Sequence, residues 1–344
     1  MLYAAVAWNE QGYVVAMASD DAAAVRPDLH YPAERTADMV EQLRRLGASE
    51  PLMVVVESTC GIIDGRLMAA GLRVHRADPW QLPGRPGFGS VSATEIAAAA
   101  RRDPAALTLL DRRRGTQTGR EDHLDAGYAA SASALEALTA TGAAVWHGRR
   151  GGPEVALTFD DGPNPPYTDR ILDVLERYEV PATFFCVGMN ALAYPEQIAR
   201  MREQGHALGN HTWSHPFLPE LTGAEEAEQL ERTDEAIAAA AGTGAPGLFR
   251  PPYGACSPEA LDRLARTGRT VVLWDVDAED WKMPGAEVIA SQVLEATKPG
   301  SIILLHDGGG DRDQTAGALP AIIEGALAAG LRFSTVDALT TVGV

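Results

Sequence analysis

The sequence predicts an α/β protein in two parts, a small α/β unit followed by a parallel barrel or wound sheet. Three observations carry this. After residue 153, apolar runs of strand length alternate with helical stretches to the end of the chain, the pattern of repeated βα units. Ahead of it, strands come first and helices after. Between the two lies Thr139–Pro153, small, polar and glycine-rich, ending in Arg149-Arg150-Gly151-Gly152-Pro153, which reads as a junction. The expected division is residues 1–145 and 150–344.

In the first part, Leu2–Trp8 and Tyr13–Ala18 read as strands joined by a turn at Asn9–Gly12. Residues 32–47 read as a helix ending at Gly47. Leu52–Glu57 reads as a buried strand, Ile62–Ala70 as a helix stopped by Gly71, and Leu72–Ala77 as another strand. Pro79–Gly89 reads as a loop, and Ala93–Arg101 and Asp122–Leu138 as helices. In the second part, the expected strands are Val155–Phe159, Ala182–Val187, Ala207–Asn210, Leu248–Arg250, Thr270–Asp275, Ser301–His306 and Arg332–Ser334. The helices between them are Thr168–Tyr178, Tyr194–Gln204, Glu225–Ala241, Pro258–Thr267, Ala286–Ala296 and Thr315–Ala329.

Composition narrows the function. The net charge of −18 is uneven: residues 1–150 hold 16 Arg against 18 Asp and Glu, a net of −2, and the remainder carries −16. An acidic second half repels polyanions, which argues against a nucleic-acid substrate there. The arginines at 101, 102, 112–114 and 120 read as a solvated face rather than a nucleic-acid surface. No stretch reaches the roughly 18 apolar residues of a membrane span, and Met1–Tyr13 lacks the basic, apolar and small-residue regions of a secretory leader. A cytoplasmic location is therefore expected. Cys60, Cys186 and Cys256 are far apart and read as small buried hydrophobes.

The chemistry lies at strand ends. Val155–Phe159 runs into Asp160-Asp161-Gly162, Ala207–Asn210 into His211 and His215, Leu248–Phe249 into Arg250, Thr270–Asp275 into Asp277, Asp280 and Trp281, and Ile302–Leu305 into His306-Asp307. Carboxyl ends of parallel strands are where such folds place their sites. Each segment alone has an ordinary explanation, as a turn, an ion pair or a cap; five in one half point to a site. The H-x-x-x-H spacing of His211 and His215 would put both imidazoles on one face of a helical turn, and a carboxylate from another strand end would complete three ligands with a position left for water. His206 and Asn210 read as buried hydrogen-bonding residues, and Asp307 as a loop-orienting one.

In order, the segments are Thr158-Phe159-Asp160-Asp161-Gly162, His211-Thr212-Trp213-Ser214-His215, Arg250-Pro251-Pro252-Tyr253-Gly254, Asp277-Ala278-Glu279-Asp280-Trp281 and Leu304-Leu305-His306-Asp307. With these, residues 152–344 resemble the polysaccharide deacetylases of carbohydrate esterase family 4, the NodB homology domain. The resemblance implies a distorted (β/α) barrel with fewer strands than eight, and hydrolysis of an N-acetyl amide on an amino sugar or aminosugar-containing metabolite. It implies that Asp161, His211 and His215 bind a divalent metal, zinc first, with cobalt, nickel or manganese as substitutes. Asp160 would be the general base, held ionised by Arg250. The Tyr253 backbone N–H would donate to the oxyanion. His306 would protonate the leaving amine, with its pKa raised by Asp280. Trp281, Leu304 and Pro252 would contact substrate, the first two around the acetyl methyl. The alternatives are another amidase on this scaffold, a deformylase or cyclic-imide hydrolase, or a nucleic-acid- or protein-binding chain with a vestigial second half.

Residues 1–130 resemble the ribonuclease-H-like domain of DEDD-type insertion-sequence transposases, through Val54-Val55-Val56-Glu57-Ser58-Thr59-Cys60-Gly61, Ala69-Ala70-Gly71-Leu72-Arg73-Val74-His75 and Asp78-Pro79. Glu57 fits one of the four acidic positions. Trp8-Asn9 stands where an Asp is expected, and Ser92-Ala93-Thr94-Glu95-Ile96 replaces the later Asp pair. A two-metal site needs its carboxylates, so a degenerate scaffold is expected, serving substrate contact, homo-oligomerisation or partner docking.

Overall fold

The structure, a computed structural model, describes residues 1–21 and 26–340; the last four residues of the expected second domain lie outside it. The first sheet holds β1 (Leu2–Asn9), β2 (Gly12–Ser19), β3 (Arg26–Pro32), β4 (Leu52–Glu57), β5 (Val74–Ala77) and β6 (Thr108–Leu109) in the order β3-β2-β1-β4-β5-β6. β1, β2 and β3 pair antiparallel, β1 with β4 and β4 with β5 parallel, and β5 with β6 antiparallel. Its helices are α1 (Thr36–Ser49), α2 (Ile63–Ala69), α3 (Ala93–Arg102) and α4 (Glu121–Thr141). The expected helix 32–47 begins four residues late because Arg26–Pro32 forms an edge strand. That stretch begins and ends near prolines, which sheets tolerate only at such edges.

The second sheet is parallel in every strand pair. It contains β7 (Ala144–Val145), β8 (Glu154–Asp160), β9 (Thr183–Cys186), β10 (Ala207–Asn210), β11 (Leu248–Phe249), β12 (Thr270–Val272), β13 (Val276–Asp277), β14 (Ile302–His306) and β15 (Arg332–Phe333). Their order is β13-β14-β8-β9-β10-β11-β12-β7, with β15 on β8. The sheet curls far enough for its edges to meet. Past β12, Asp275 N donates to the Ile302 carbonyl at 3.2 Å, and past β7, His147 bridges Ser301. Asp275, the last residue of the expected strand Thr270–Asp275, is used here: it accepts from Arg150 at 2.7 Å and from Ile302 N at 2.8 Å. β7 lies within Thr139–Pro153, so the second sheet starts inside the stretch that composition reads as a junction.

Helices α5 (Tyr167–Tyr178), α6 (Gly188–Ala193), α7 (Pro195–Glu203), α8 (Gly223–Ala241), α9 (Pro258–Arg266), α10 (Ala286–Ala296), α11 (Asp313–Ala328) and α12 (Val336–Thr340) complete the second part. Leu157 and Phe159 of β8 pack with Ile171, Leu172 and Leu175 of α5 and with Leu319, Ile322 and Ile323 of α11 in its main core. Another core is shared by both parts: Trp8, Cys60 and Ile62 pack with Val187, Met189 and Trp213. Apolar burial across that boundary, at about 25 cal/mol per Å², holds the two sheets together. Among the described residues no helix is long and apolar enough to cross a membrane. All three cysteines are free and buried.

Candidate active site

Five strand ends converge on one pocket of about 300 Å³. At the end of β8, Asp160 and Asp161 point to different partners. Asp160 accepts a 2.7 Å bond from Arg250. Arg250 is fully buried, and every donor nitrogen of its guanidinium is engaged: with the Val272 and Leu273 carbonyls at 3.1 and 3.2 Å, with Thr158 Oγ1 at 2.8 Å, and with Asp160. The plane lies over Phe185, 4.1 Å from its ring centre. A buried guanidinium is tolerable only when paired and fully bonded, and this cage supplies both while fixing the Asp160 carboxylate.

Asp161 lies with His211 and His215, and one ligand atom from each falls within 4.8 Å of the others, the one such group of three among the described residues. His215 Nε2 is 3.2 Å and His211 Nε2 3.5 Å from Asp161 Oδ1. His211 Nδ1 meets the Arg250 carbonyl at 2.7 Å, which fixes the ring and leaves Nε2 free. Asn190 Nδ2 donates to the Asp161 carbonyl at 2.8 Å. Burial pushes the His215 imidazole down to about 4, so it stays neutral. Burial would raise the Asp161 carboxyl, but the facing His215, His211 and His306 outweigh it and hold it well below the usual carboxylate range. Asp161 Oδ1 is buried with no hydrogen-bond partner. An ionised carboxylate with an orphaned oxygen, the neutral His215 imidazole and a second imidazole, His211, with its Nε2 free make the kind of donor set a divalent zinc-type ion requires, so the residues fit a metal.

The geometry of this segment differs from the expected helical turn. Residues 211–215 are not helical, and Thr212 and His215 have φ of 68° and 58°. The rings converge because the Trp213 and Ser214 amides donate to Gln229 Oε1 and His215 N donates to Thr212 Oγ1. Positive φ recurs around the pocket, at Asp161, Tyr253, Glu279 and Met283. Backbone strain of this kind costs about 1–3 kcal/mol per residue and persists where surroundings over-determine it.

Opposite the triad stands His306 at the end of β14. Its Nδ1 meets Asp280 Oδ1 at 2.7 Å, and its amide donates to Asp280 Oδ2 at 3.0 Å. Thr315 Oγ1 also donates to Asp280 Oδ2, at 2.7 Å. Burial would lower the imidazole; Asp280 outweighs it and, with Asp161 beyond, raises His306 to about 9. Trp281, Leu304 and Tyr253 line the pocket. The proline in the wall is Pro251 rather than Pro252, since the chain is still extended at Pro251 and turns at Pro252. Tyr253 takes φ 58°, ψ 8°, and its carbonyl accepts from Tyr128 at 2.6 Å.

A Polysaccharide deacetylase family profile matches residues 147–272. The chain is 43% identical over 183 residues to a chitooligosaccharide deacetylase of Sinorhizobium fredii, a match covering 50% of this chain and 85% of that protein. This chain belongs to the polysaccharide deacetylase family. It is also 41% identical to a peptidoglycan-N-acetylglucosamine deacetylase of Bacillus cereus, covering 54% of this chain and 68% of that one. The crystal structure of the Bc1960 peptidoglycan N-acetylglucosamine deacetylase aligns with a TM-score of 0.58 and 37% identity, over 60% of this chain and 96% of that chain. The curled parallel sheet is thus the polysaccharide deacetylase fold.

Several residues of the pocket carry no strand-end signature. Trp274 and Arg312 line it from the second part; Asp64, Met68, Gly115, Leu124 and Tyr128 line it from the first. His206 and Asn210 are structural, as expected: His206 Nδ1 accepts from Ala182 N, and Asn210 bonds Leu230, Asp234 and Thr212. Asp307 accepts from Thr168 Oγ1 at 2.6 Å, tying β14 to the start of α5. Cys256 is buried, and burial pushes its thiol well above its usual range, so it offers no nucleophile.

Proposed function

We propose that the chain hydrolyses the N-acetyl amide of an amino sugar, releasing acetate and a free amine. The observation that carries this is the pairing, across one pocket, of a carboxylate held by Arg250 beside the Asp161–His211–His215 set with a histidine held cationic by Asp280. A divalent cation held by Asp161, His211 and His215 would polarise the acetyl carbonyl and acidify the attacking water. Asp160 takes the water's proton as oxygen adds to the carbonyl carbon. The Tyr253 N–H donates to the oxyanion. His306 gives its proton to the nitrogen as the C–N bond breaks, and the amine departs neutral. Arg250 and Asp280 act through these groups as positioning residues. The relatives' chitooligosaccharide and peptidoglycan deacetylase activities support the same linkage as substrate.

Among the described residues the first part has no comparable set. Glu57 is buried and engaged by Thr59 and Ser58, and Asn9 stands on the first strand where a nuclease of the resembled type needs a carboxylate. We read it as a non-nuclease scaffold. The test is acetate release from a panel of N-acetylated sugars and glycosides, with mass spectrometry following loss of one acetyl group. Hydrolysis of N-formyl amides or cyclic imides, with every acetyl sugar untouched, would replace this reading by another amidase.

A further inference from the structure

The first part closes over the site at backbone distance. A methyl group added at Gly61 would lie 2.5 Å from the His215 carbonyl oxygen and 2.8 Å from the Tyr253 hydroxyl. One added at Gly65 would lie 1.7 Å from the Gly309 carbonyl. Only glycine permits these approaches. His215 and Gly309 flank Asp161: His215 Nε2 contacts its carboxylate, and a methyl group added at Gly309 would come within 2.5 Å of Asp161 Oδ2. Segment 61–65 therefore spans the metal-binding side of the pocket from one rim to the other. Thr116 reaches the Tyr253 hydroxyl at 3.1 Å, and Tyr128 reaches its carbonyl. The wall is anchored, by the shared core around Trp8 and Trp213, by the Arg120–Glu220 ion pair and by Arg85–Glu225 at 3.2 Å.

Two side chains in this wall, Asp64 and Gln117, have buried polar atoms without a hydrogen-bond partner, and Asp64 carries the acidic one. Asp64 is 3% exposed and among the pocket-lining residues; its Oδ1 accepts from Gly65 N at 2.6 Å, and its Oδ2 has no partner. A buried carboxyl oxygen without a partner is costly, and within a sugar-sized pocket a substrate hydroxyl or amide can meet it. The pocket volume, about 300 Å³, stands at the low end of small-molecule sites, which run from about 300 to 1,000 Å³. A polysaccharide bound mid-chain must leave the site on both sides of the reacting ring, and the rims at His215 and Gly309 are both covered.

Building on the deacetylase reading, we propose that the first part forms the second wall of the substrate pocket, with Asp64 as its polar contact, and that this wall limits the substrate to an N-acetylated amino sugar or glycoside of one or two rings. The test uses the full-length, metal-loaded chain on chitin oligomers of one to five rings, with an aryl acetate as a probe of the hydrolytic machinery alone. The expected result is kcat/KM highest at one or two rings and lower by about tenfold or more at four, in line with steric discrimination in enzyme pockets. A rate rising with ring number overturns the wall while leaving the deacetylase reading intact. Hydrolysis of the aryl acetate with no acetate from any oligomer overturns both. Asp64→Ala should lower kcat/KM for the preferred sugar about tenfold, chiefly through KM, and by more than it lowers aryl acetate hydrolysis; equal loss on both substrates would make Asp64 structural and overturn its assignment as a contact.

Discussion

Two histidines face the same pocket and are driven in opposite directions. His215, on the metal-binding side, is pushed down to about 4 by burial; His306, across from it, is raised to about 9. Both are deeply placed, so desolvation alone would lower both. The difference is the partner of each ring's second nitrogen. His306 Nδ1 has the Asp280 carboxylate at 2.7 Å, whereas His215 Nδ1 is buried with no partner. His215 also faces a carboxylate, Asp161 at 3.2 Å from its Nε2, but there burial, with His211 and His306 alongside, outweighs the attraction, whereas at His306 the hydrogen-bonded Asp280 outweighs burial. The pocket thereby holds a proton acceptor side and a proton donor side at the same pH, which amide hydrolysis needs.

The largest expected break in this division comes from the metal side. Chelation of the purified protein should abolish turnover, and Asp161→Ala should lose both metal, read by elemental analysis, and activity. Full activity after exhaustive chelation would show that the triad does not serve as a metal site. The next break is Asp160→Asn. It keeps the shape beside Arg250 but cannot take a proton, so turnover should fall by about 10²–10⁴ while metal content stays at wild type. Joint loss of metal and activity would make Asp160 a ligand instead.

Much of this division was legible in the sequence because the second part writes it in a one-dimensional pattern: an apolar run of strand length followed at once by Asp, His or Arg. Asp160, Asp161, His211 and His306 follow that rule; His215 shows only through its spacing from His211, and Arg250 follows a run of just two apolar residues. The reason two of them converge was misread. H-x-x-x-H spacing fits a helix, yet the chain between them is held by Gln229, sixteen residues beyond Trp213, and such a long-range contact leaves no periodic trace. Trp274, Arg312 and the Phe185 ring against Arg250 were hidden for the same reason: they come to the site from elements distant in the chain. β7 and β11 are two-residue strands, too short to show alternation. Asp64 was the most deeply hidden, because it sits on α2 of the other sheet, where nothing local marks a pocket wall.

The acid side gives smaller and more specific breaks. His306→Ala should slow an acetamide substrate by about 10²–10⁴ and an activated ester by much less, because an ester's leaving group departs without a proton and an amine does not. Equal slowing of both would mean that His306 acts by shape or charge rather than by proton transfer.

Asp280→Asn is the finest of these tests, since it removes the charge and one acceptor oxygen while keeping the side chain's shape. In the wild type the His306 imidazolium is present below about pH 9 and lost above it, so the alkaline limb of kcat/KM should fall near that value. Replacing Asp280 by Asn deletes the counter-charge while leaving an oxygen for the His306 and Thr315 hydrogen bonds. Burial then acts unopposed, and burial disfavours the cation, so the imidazole should drop to or below its ordinary value of about 6.5. The alkaline limb should therefore move down by about two pH units or more. The acid limb belongs to the other side of the pocket, where His215 stays neutral down to about pH 4 and Asp160 is held by Arg250, and it should stay nearly in place. The two limbs then approach, and the maximum rate falls because fewer molecules hold the base ionised and the acid protonated together. A pH profile of kcat/KM on an acetamide, for both proteins, reads all three effects. An alkaline limb that does not move in Asp280→Asn would show that the Asp280 carboxylate is not what sets the His306 proton, and the contrast between the two histidines would need another cause.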